Sequence, residues 1–138
     1  MVKISSTAVS HKRLAREMIK LVKKGITNAY APYSSIPVSA GLYCKDGEIF
    51  TGVNIENSSY SLSMCAERVA LFKAVASGQR NFLLLLLYSP KIDFILPCGA
   101  CLQTLCEFSP ELVIATMNTN EEFKFYPLKT LIKRPFRL

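Results

Sequence analysis

Two short runs that carry three cysteines constrain this chain more than any other sequence feature. The first is Cys65-Ala66-Glu67-Arg68, and the second is Pro97-Cys98-Gly99-Ala100-Cys101. Three thiolates can fill three corners of a zinc tetrahedron and leave the fourth open, which is typical of catalytic rather than structural zinc. If the three cysteines share one ion, the fold has to bring two distant segments to a single point.

A glutamate, Glu67, stands two residues after the first cysteine. A zinc ion with an open position can lower the pKa of water to about 7. A carboxylate held beside it can take the water proton and return it to a substrate. The pattern therefore predicts Zn²⁺ and a proton-transfer role for Glu67. On these residues alone, a zinc-free protein and a structural zinc closed by Cys44, Cys106 or His11 stay open as alternatives.

Both cysteine runs are predicted at helix N-termini, the first capped by Ser61 or Ser63. Helix N-termini favour thiolates, because unpaired N–H groups and the helix dipole stabilise negative charge there. Arg68 is placed to offset part of the thiolate charge and to hydrogen-bond to sulfur. The small residues Gly99 and Ala100 would let the second helix start approach the metal.

Strands alternate with helices along the chain. A first helix is expected to begin near His11, with Ser10 as its cap, and Gly25 could end it. Asp46-Gly47 predicts a tight hairpin turn. The remaining elements are strands over 38–43, 49–53, 83–88, 112–117 and 121–126, two helices whose first turns contain the cysteine runs and which extend to Gly78 and Phe108, and a brief helix over 128–132. This order predicts one layered α/β domain over residues 1–138, with a mixed sheet.

Composition excludes several classes of protein. Half of the 138 residues are hydrophobic, which argues against disorder. The apolar run 82–88 is far shorter than a membrane span and is better explained as a strand buried on both faces. Residues 1–7 contain no apolar stretch of signal-peptide length, so a cytoplasmic location is expected. Five cysteines in a reducing compartment favour metal binding over disulfides, and Cys44 and Cys106 are expected to be buried hydrophobic residues.

The formal net charge of +7 is concentrated in the first helix. A basic helix can bind nucleic acid, but a solvated helix face is the commoner explanation. We therefore expect neither a nucleic-acid partner nor a membrane partner.

Taken together, the runs closely resemble the small, homotetrameric cytidine deaminases. The matching segments are Tyr30-Ala31-Pro32-Tyr33-Ser34, Thr51-Gly52-Val53-Asn54-Ile55-Glu56-Asn57, 60–75, Pro97-Cys98-Gly99-Ala100-Cys101-Leu102-Gln103 and, weakly, Phe136. The same spacing of cysteines and glutamate is a known signature of zinc nucleobase deaminases. The resemblance implies a three-layer α/β/α fold with a five-stranded sheet and one zinc per subunit. It also implies hydrolysis of cytidine and 2′-deoxycytidine to the uridine forms with release of ammonia, in pyrimidine salvage.

The resemblance also implies roles for individual residues. Cys65, Cys98 and Cys101 take the ligand positions, Glu67 the proton-shuttle position and Arg68 the charge-neutralising position. For the substrate, Ala66 would offer a backbone contact to the base, and Asn54 and Glu56 would bind the ribose 3′-hydroxyl. A neighbouring subunit would contribute Ser58, Tyr60 and Phe136 to each site of the tetramer.

Three positions depart from the family pattern. Ile36 replaces a phenylalanine that stacks on the pyrimidine, and Ser39 replaces a glycine. Ile36 can still pack against the ring, but it loses part of a stacking energy of about 1–3 kcal/mol. Leu102 replaces an arginine close to the thiolates. Ile36, Leu102 and the basic first helix motivate one alternative, a deaminase of a modified cytosine nucleoside or of cytosine in RNA. A non-catalytic structural-zinc protein is the other alternative.

Overall fold

Helices cover both faces of a five-stranded sheet in the computed structural model, which describes residues 6–138. The helices are α1 (Ser6–Gly25), α2 (Ala66–Ala76), α3 (Gly99–Phe108) and α4 (Leu128–Leu131), with 3₁₀ turns at Ile26–Asn28 and Tyr60–Leu62. The strands are β1 (Ser39–Cys44), β2 (Ile49–Val53), β3 (Phe82–Tyr88), β4 (Val113–Met117) and β5 (Phe123–Pro127). Most of the segment 1–7, in which no signal peptide is expected, lies outside the described residues.

The strand order across the sheet is β2-β1-β3-β4-β5. Strands β3 and β4 pair in parallel, and the other neighbours in this sheet are antiparallel. Helix α3 connects the parallel pair, as a crossover between parallel strands requires. The predicted mixed sheet is therefore confirmed. Because β3 and β4 are parallel, the chain has to cross back from the carboxyl end of β3 to the start of β4. The loop after β3 therefore leads to the end of the sheet where α3 begins.

The central strand β3 is buried on both faces. Leu84 and Leu86 belong to a core cluster with α1, whereas Leu85 and Leu87 belong to a second cluster with α2 and α3. Successive side chains of a strand point to opposite faces, so an almost continuous run of leucines serves both clusters at once. The layers are therefore helix, sheet and helix, which confirms the three-layer α/β/α fold.

Two predicted helix starts are wrong. Helix α1 begins at Ser6, so Ser10 lies within it, since no Gly or Pro interrupts the sequence before His11. Helix α2 begins at Ala66, and its N-cap is Cys65 rather than Ser61 or Ser63. The chain before α2 is held extended instead, because Met64 forms an antiparallel bridge with Ile55. The predicted limits of the strands lie within two residues of those observed.

Helix α2 packs directly on β2 through a glycine. A Cβ atom added at Gly52 would lie 2.4 Å from the carbonyl oxygen of Ala66 and 2.4 Å from the backbone nitrogen of Ala70. This close approach fixes the start of α2 against the sheet. Among the helices of residues 6–138, none combines the length and apolarity that crossing a membrane requires.

Candidate active site

Three thiols meet where α2 and α3 begin. The Sγ atoms of Cys65 and Cys98 are 3.8 Å apart, and those of Cys98 and Cys101 are 3.5 Å apart. Tetrahedral zinc with Zn–S bonds of about 2.3 Å places its sulfur ligands about 3.8 Å from one another. The donor set and its spacing therefore fit one zinc ion, as the sequence predicts. Cys44, Cys106 and His11 lie outside this group of three.

Both helix starts hold their cysteine in the same way. Cys65 and Cys98 are the N-cap residues of α2 and α3, with extended backbone conformations. The first N–H groups of a helix have no partner within it, so both helices present a positive end to the sulfurs. The pKa of Cys65 is lowered to about 5, first by a hydrogen bond from the Cys101 thiol and then by the Arg68 guanidinium. The local chemistry thus favours negative charge at Cys65, whereas the hydrogen bond with Cys65 and burial raise the pKa of Cys101.

Arg68 lies beside the thiols on the first turn of α2. Its Nη2 is 3.6 Å from Cys65 Sγ, within hydrogen-bond distance for sulfur. Its Nε is buried without a hydrogen-bond partner among the described residues. Leu102 is buried and supplies no charge here, so Arg68 is the cation that the structure places against the sulfurs.

Glu67 is only 4% exposed, although it carries a carboxyl group. Burial raises the pKa of Glu67 to about 7, and the neighbouring charge of Cys65 adds to the effect. Such a group can hold a proton or release it near neutral pH, which is what general acid–base chemistry needs. Charged residues are almost never fully buried unless they are paired, so a buried carboxyl group with a shifted pKa in a cavity is a candidate catalytic group.

A cavity of about 180 Å³ opens above Glu67. Its lining residues are Val38, Asn54, Cys65, Ala66, Glu67, Ile95, Leu96 and Cys98. Five of these were singled out in the sequence, but Val38, Ile95 and Leu96 were not. Their signal was weak, since apolar residues beside a strand or before Pro97 are usually explained by core packing. Leu96 is nonetheless 47% exposed, so it forms a wall of the cavity rather than part of the core.

Asn54 is held by the loop in front of β1. Its Oδ1 accepts a hydrogen bond of 2.9 Å from the Val38 backbone nitrogen, and its Nδ2 donates one of 2.8 Å to the Ile36 carbonyl oxygen. An amide offers two donor hydrogens and two acceptor lone pairs, so one of each is still free for a ligand. Ile36 itself packs against the core cluster below the loop and is not among the residues that line the cavity.

Glu56 lies in a neighbouring depression, which is also lined by Tyr33, Ser34, Tyr60 and Ser63. Its carboxylate accepts hydrogen bonds from the backbone nitrogens of Tyr33 and Ser34, and from the Ser34 hydroxyl. The Ser34 hydroxyl is the main reason that the pKa of Glu56 is lowered. The structure therefore places Glu56 in a different depression from the cavity of Asn54 and Glu67.

The residues assigned to a neighbouring subunit are exposed in the single chain. Tyr60 is 73% exposed and Phe136 is 71% exposed, and Ser58 is also on the surface. Tyr60 touches Tyr33 edge-on, with ring centroids 5.8 Å apart. None of the three is among the residues that line the cavity above Glu67. Their predicted role therefore depends on a second chain.

A mixed sheet with three thiols and a buried carboxylate at two helix starts defines a zinc enzyme. The sequence profile described as "Cytidine and deoxycytidylate deaminase zinc-binding region" matches residues 12–117. A cytidine deaminase of Sporosarcina psychrophila is 48% identical over 92 residues, which span 67% of this chain and 68% of that protein. One of Halalkalibacterium halodurans is 44% identical over 93 residues, or 65% of this chain and 70% of that one.

The crystal structure of a cytidine deaminase from Burkholderia pseudomallei matches with a TM-score of 0.83 and 37% identity. The match covers 88% of this chain and 98% of that chain. The chain therefore belongs to the cytidine and deoxycytidylate deaminase family, as the resemblance predicted. It is an enzyme with a zinc cofactor, so the alternative of a non-catalytic structural-zinc protein is wrong.

Proposed function

We propose that this chain hydrolyses cytidine and 2′-deoxycytidine to uridine and 2′-deoxyuridine with release of ammonia, a reaction of pyrimidine salvage. The observation that carries the proposal is the buried carboxylate of Glu67 in one cavity with Asn54 and two of the three clustered cysteines. The similar cytidine deaminases support the same substrate class.

Cys65, Cys98 and Cys101 would hold the metal. When bound, zinc supplies a Lewis acid that makes water a nucleophile near neutral pH. Glu67 takes one proton from the attacking water and delivers it to the ring nitrogen N3 as the C4–O bond forms. It then moves the second water proton to the amino group on C4. The C4–N bond breaks, ammonia leaves and a carbonyl remains at C4, so water and the nucleoside account for every atom of the products.

The remaining cavity residues would position the nucleoside. Ala66 is the first residue of α2, so its N–H has no partner within the helix and can donate to the base. Asn54 retains a free donor and a free acceptor for the ribose hydroxyl. Glu56 would reach the same hydroxyl from the neighbouring depression, and Ile36 would affect the ring through the loop that Asn54 holds.

A second copy of the chain would complete the site. The cavity of about 180 Å³ is smaller than the range of about 300–1,000 Å³ that is usual for small-molecule sites. Several apolar residues of the chain are exposed, among them Tyr30, Tyr33, Ile55, Tyr60 and Leu62, and Tyr33 and Tyr60 line the depression that holds Glu56. Large apolar patches of this kind mark interaction surfaces. They support contact between copies of the chain. We infer a homotetramer of single-domain subunits, with Ser58, Tyr60 and Phe136 facing a neighbouring site, and a cytoplasmic location.

A substrate panel tests the proposal. Purified protein with measured zinc content is assayed for ammonia release from cytidine, 2′-deoxycytidine, a modified cytosine nucleoside, cytosine and an RNA oligomer. We expect about one zinc per chain and turnover of the first two nucleosides. Zinc-loaded, folded protein that turns over neither of them would refute the proposal, and preference for the modified nucleoside or the RNA would redirect it.

A further inference from the structure

The last residues of the chain are tied to α3, chiefly by the side chain of Gln103. Gln103 donates from Nε2 to the Phe136 carbonyl oxygen over 3.0 Å, and its Oε1 accepts from the Phe136 backbone nitrogen over 2.9 Å. One amide thus binds both polar groups of one backbone residue. The next residue adds a weaker contact, since Arg137 Nη2 donates to Cys106 Sγ over 3.4 Å.

These hydrogen bonds hold the backbone of Phe136 but leave its ring 71% exposed. Fixing the backbone of a residue costs conformational entropy. Within one chain the fixed ring buries little surface in return, and it does not line the cavity of its own chain. A preorganised aromatic side chain reduces the entropy cost of a contact with a partner. The geometry therefore indicates that the ring is held for a contact outside its own chain.

We propose that Gln103 is a positioning residue, whose amide holds Phe136 at the place where its ring closes the nucleoside site of a second copy. This inference rests on the proposed function, since the site to be closed is the nucleoside cavity. The same helix carries Cys101 two residues before Gln103, so α3 would bind the metal of its own site and position the ring for another.

Steady-state kinetics of Gln103→Met tests the role. Methionine has a similar length but can neither donate to nor accept from the backbone of Phe136. Losing two hydrogen bonds of about 1 kcal/mol each is expected to raise the KM for cytidine at least tenfold. We expect kcat within twofold of the wild type and an unchanged zinc content. An unchanged KM, or a fall in kcat together with loss of zinc, would overturn the proposal.

A double-mutant cycle separates this role from a structural one. If Gln103 acts through the ring, Gln103→Met adds no further rise in KM to Phe136→Ala. If the rise in KM of the double variant equals the product of the two single rises, Gln103 acts on the site by another route. Hydrogen exchange over residues 133–138 should be faster in Gln103→Met, which verifies that the tail is released.

Mixed oligomers test whether the ring acts on another chain. Gln103→Met has an intact Glu67, and Glu67→Gln has an intact tail. When the two variants are co-expressed, an active site on a Gln103→Met chain can receive the tail of a Glu67→Gln chain. We expect these active sites to have the wild-type KM. If every active site keeps the KM of Gln103→Met, or if the protein is a monomer, the proposal is wrong. If the wild type does not turn over cytidine, the proposed function is rejected instead. The hydrogen exchange measured over residues 133–138 does not change that conclusion.

Discussion

The two helix starts that build the metal site differ in how they are held. At the start of α2, Ala66 and Glu67 are buried, and a methyl group at Gly52 would collide with the backbone of Ala66 and Ala70. At the start of α3, Cys98 and Gly99 are exposed, and a methyl group at Gly99 would meet no described atom within 4 Å. The two starts carry the same cap residue and offer the same kind of ligand.

This difference indicates that the two helix starts of one site are positioned by different interactions. The position of the α2 start is determined by packing against β2, so Glu67, the proposed proton-transfer group, has little freedom. The α3 start has fewer contacts of its own, so the metal and a neighbouring chain would contribute more to its position. The following predictions test this difference between the starts of α2 and α3, from the largest expected effect to the smallest.

Glu67→Gln is expected to abolish nearly all turnover and to keep the metal. Glutamine has almost the same shape but cannot accept and return a proton, and general acid–base catalysis contributes about 10²–10⁴ in rate. We therefore expect kcat to fall by a factor of about 10³ or more, with zinc content and melting temperature maintained. Kinetics together with metal analysis make the measurement. Loss of zinc in Glu67→Gln would show that the carboxylate supports the metal site rather than proton transfer.

Gly52→Ala is expected to destabilise the protein, although alanine is ordinarily better than glycine in a strand. The added Cβ would be 2.4 Å from two backbone atoms of α2, so the helix has to move. Overpacking of this kind costs about 1–3 kcal/mol, and kcat should fall too because Glu67 moves with the helix. Thermal unfolding and cytidine turnover measure the two effects. A variant with the wild-type melting temperature would show that α2 is not fixed by this contact.

Removal of zinc should loosen the two starts unequally. Without the metal, residues 98–101 lose the ligand that joins them to α2, whereas residues 65–68 still pack against β2. Hydrogen exchange after chelation is therefore expected to rise more in peptides covering 98–101 than in those covering 65–68. Equal increases would show that the metal, and not the core, positions both helix starts.

Much of this site could be predicted from the chain, because its chemistry is local in sequence. The spacing of Cys65, Glu67 and the second cysteine run predicts which thiols meet, and the apolar run 82–88 predicts a strand buried on both faces. The error at the start of α2 has a local cause as well. Ser61 and Ser63 are good capping residues, but Ser63 Oγ accepts a hydrogen bond from the Asn57 backbone nitrogen and the chain stays extended up to Cys65.

The remaining features depend on contacts between residues far apart in sequence. A glycine within a strand signals close approach of another backbone, but Gly52 does not reveal that α2 is the partner. Likewise, the sequence does not place Gln103 against Phe136, 33 residues away. Leu96 has the composition of a core residue and becomes a cavity wall only because the loop after β3 leads to the thiol cluster. Tertiary packing decides each of these cases.

Gly99→Ala is the matched counterpart of Gly52→Ala and is expected to have the smallest effect. The same methyl group is added at the other helix start, where the described chain leaves room for it and φ is not positive. Alanine restricts the unfolded chain more than glycine, which stabilises a compatible site by about 0.4–1 kcal/mol. We therefore expect a melting temperature equal to the wild type or slightly higher, with zinc retained. Thermal unfolding measures this effect. A loss of more than about 1 kcal/mol in the free energy of unfolding would show that the start of α3 is as tightly packed in the assembled protein as the start of α2. The proposed difference between the two helix starts would then be wrong.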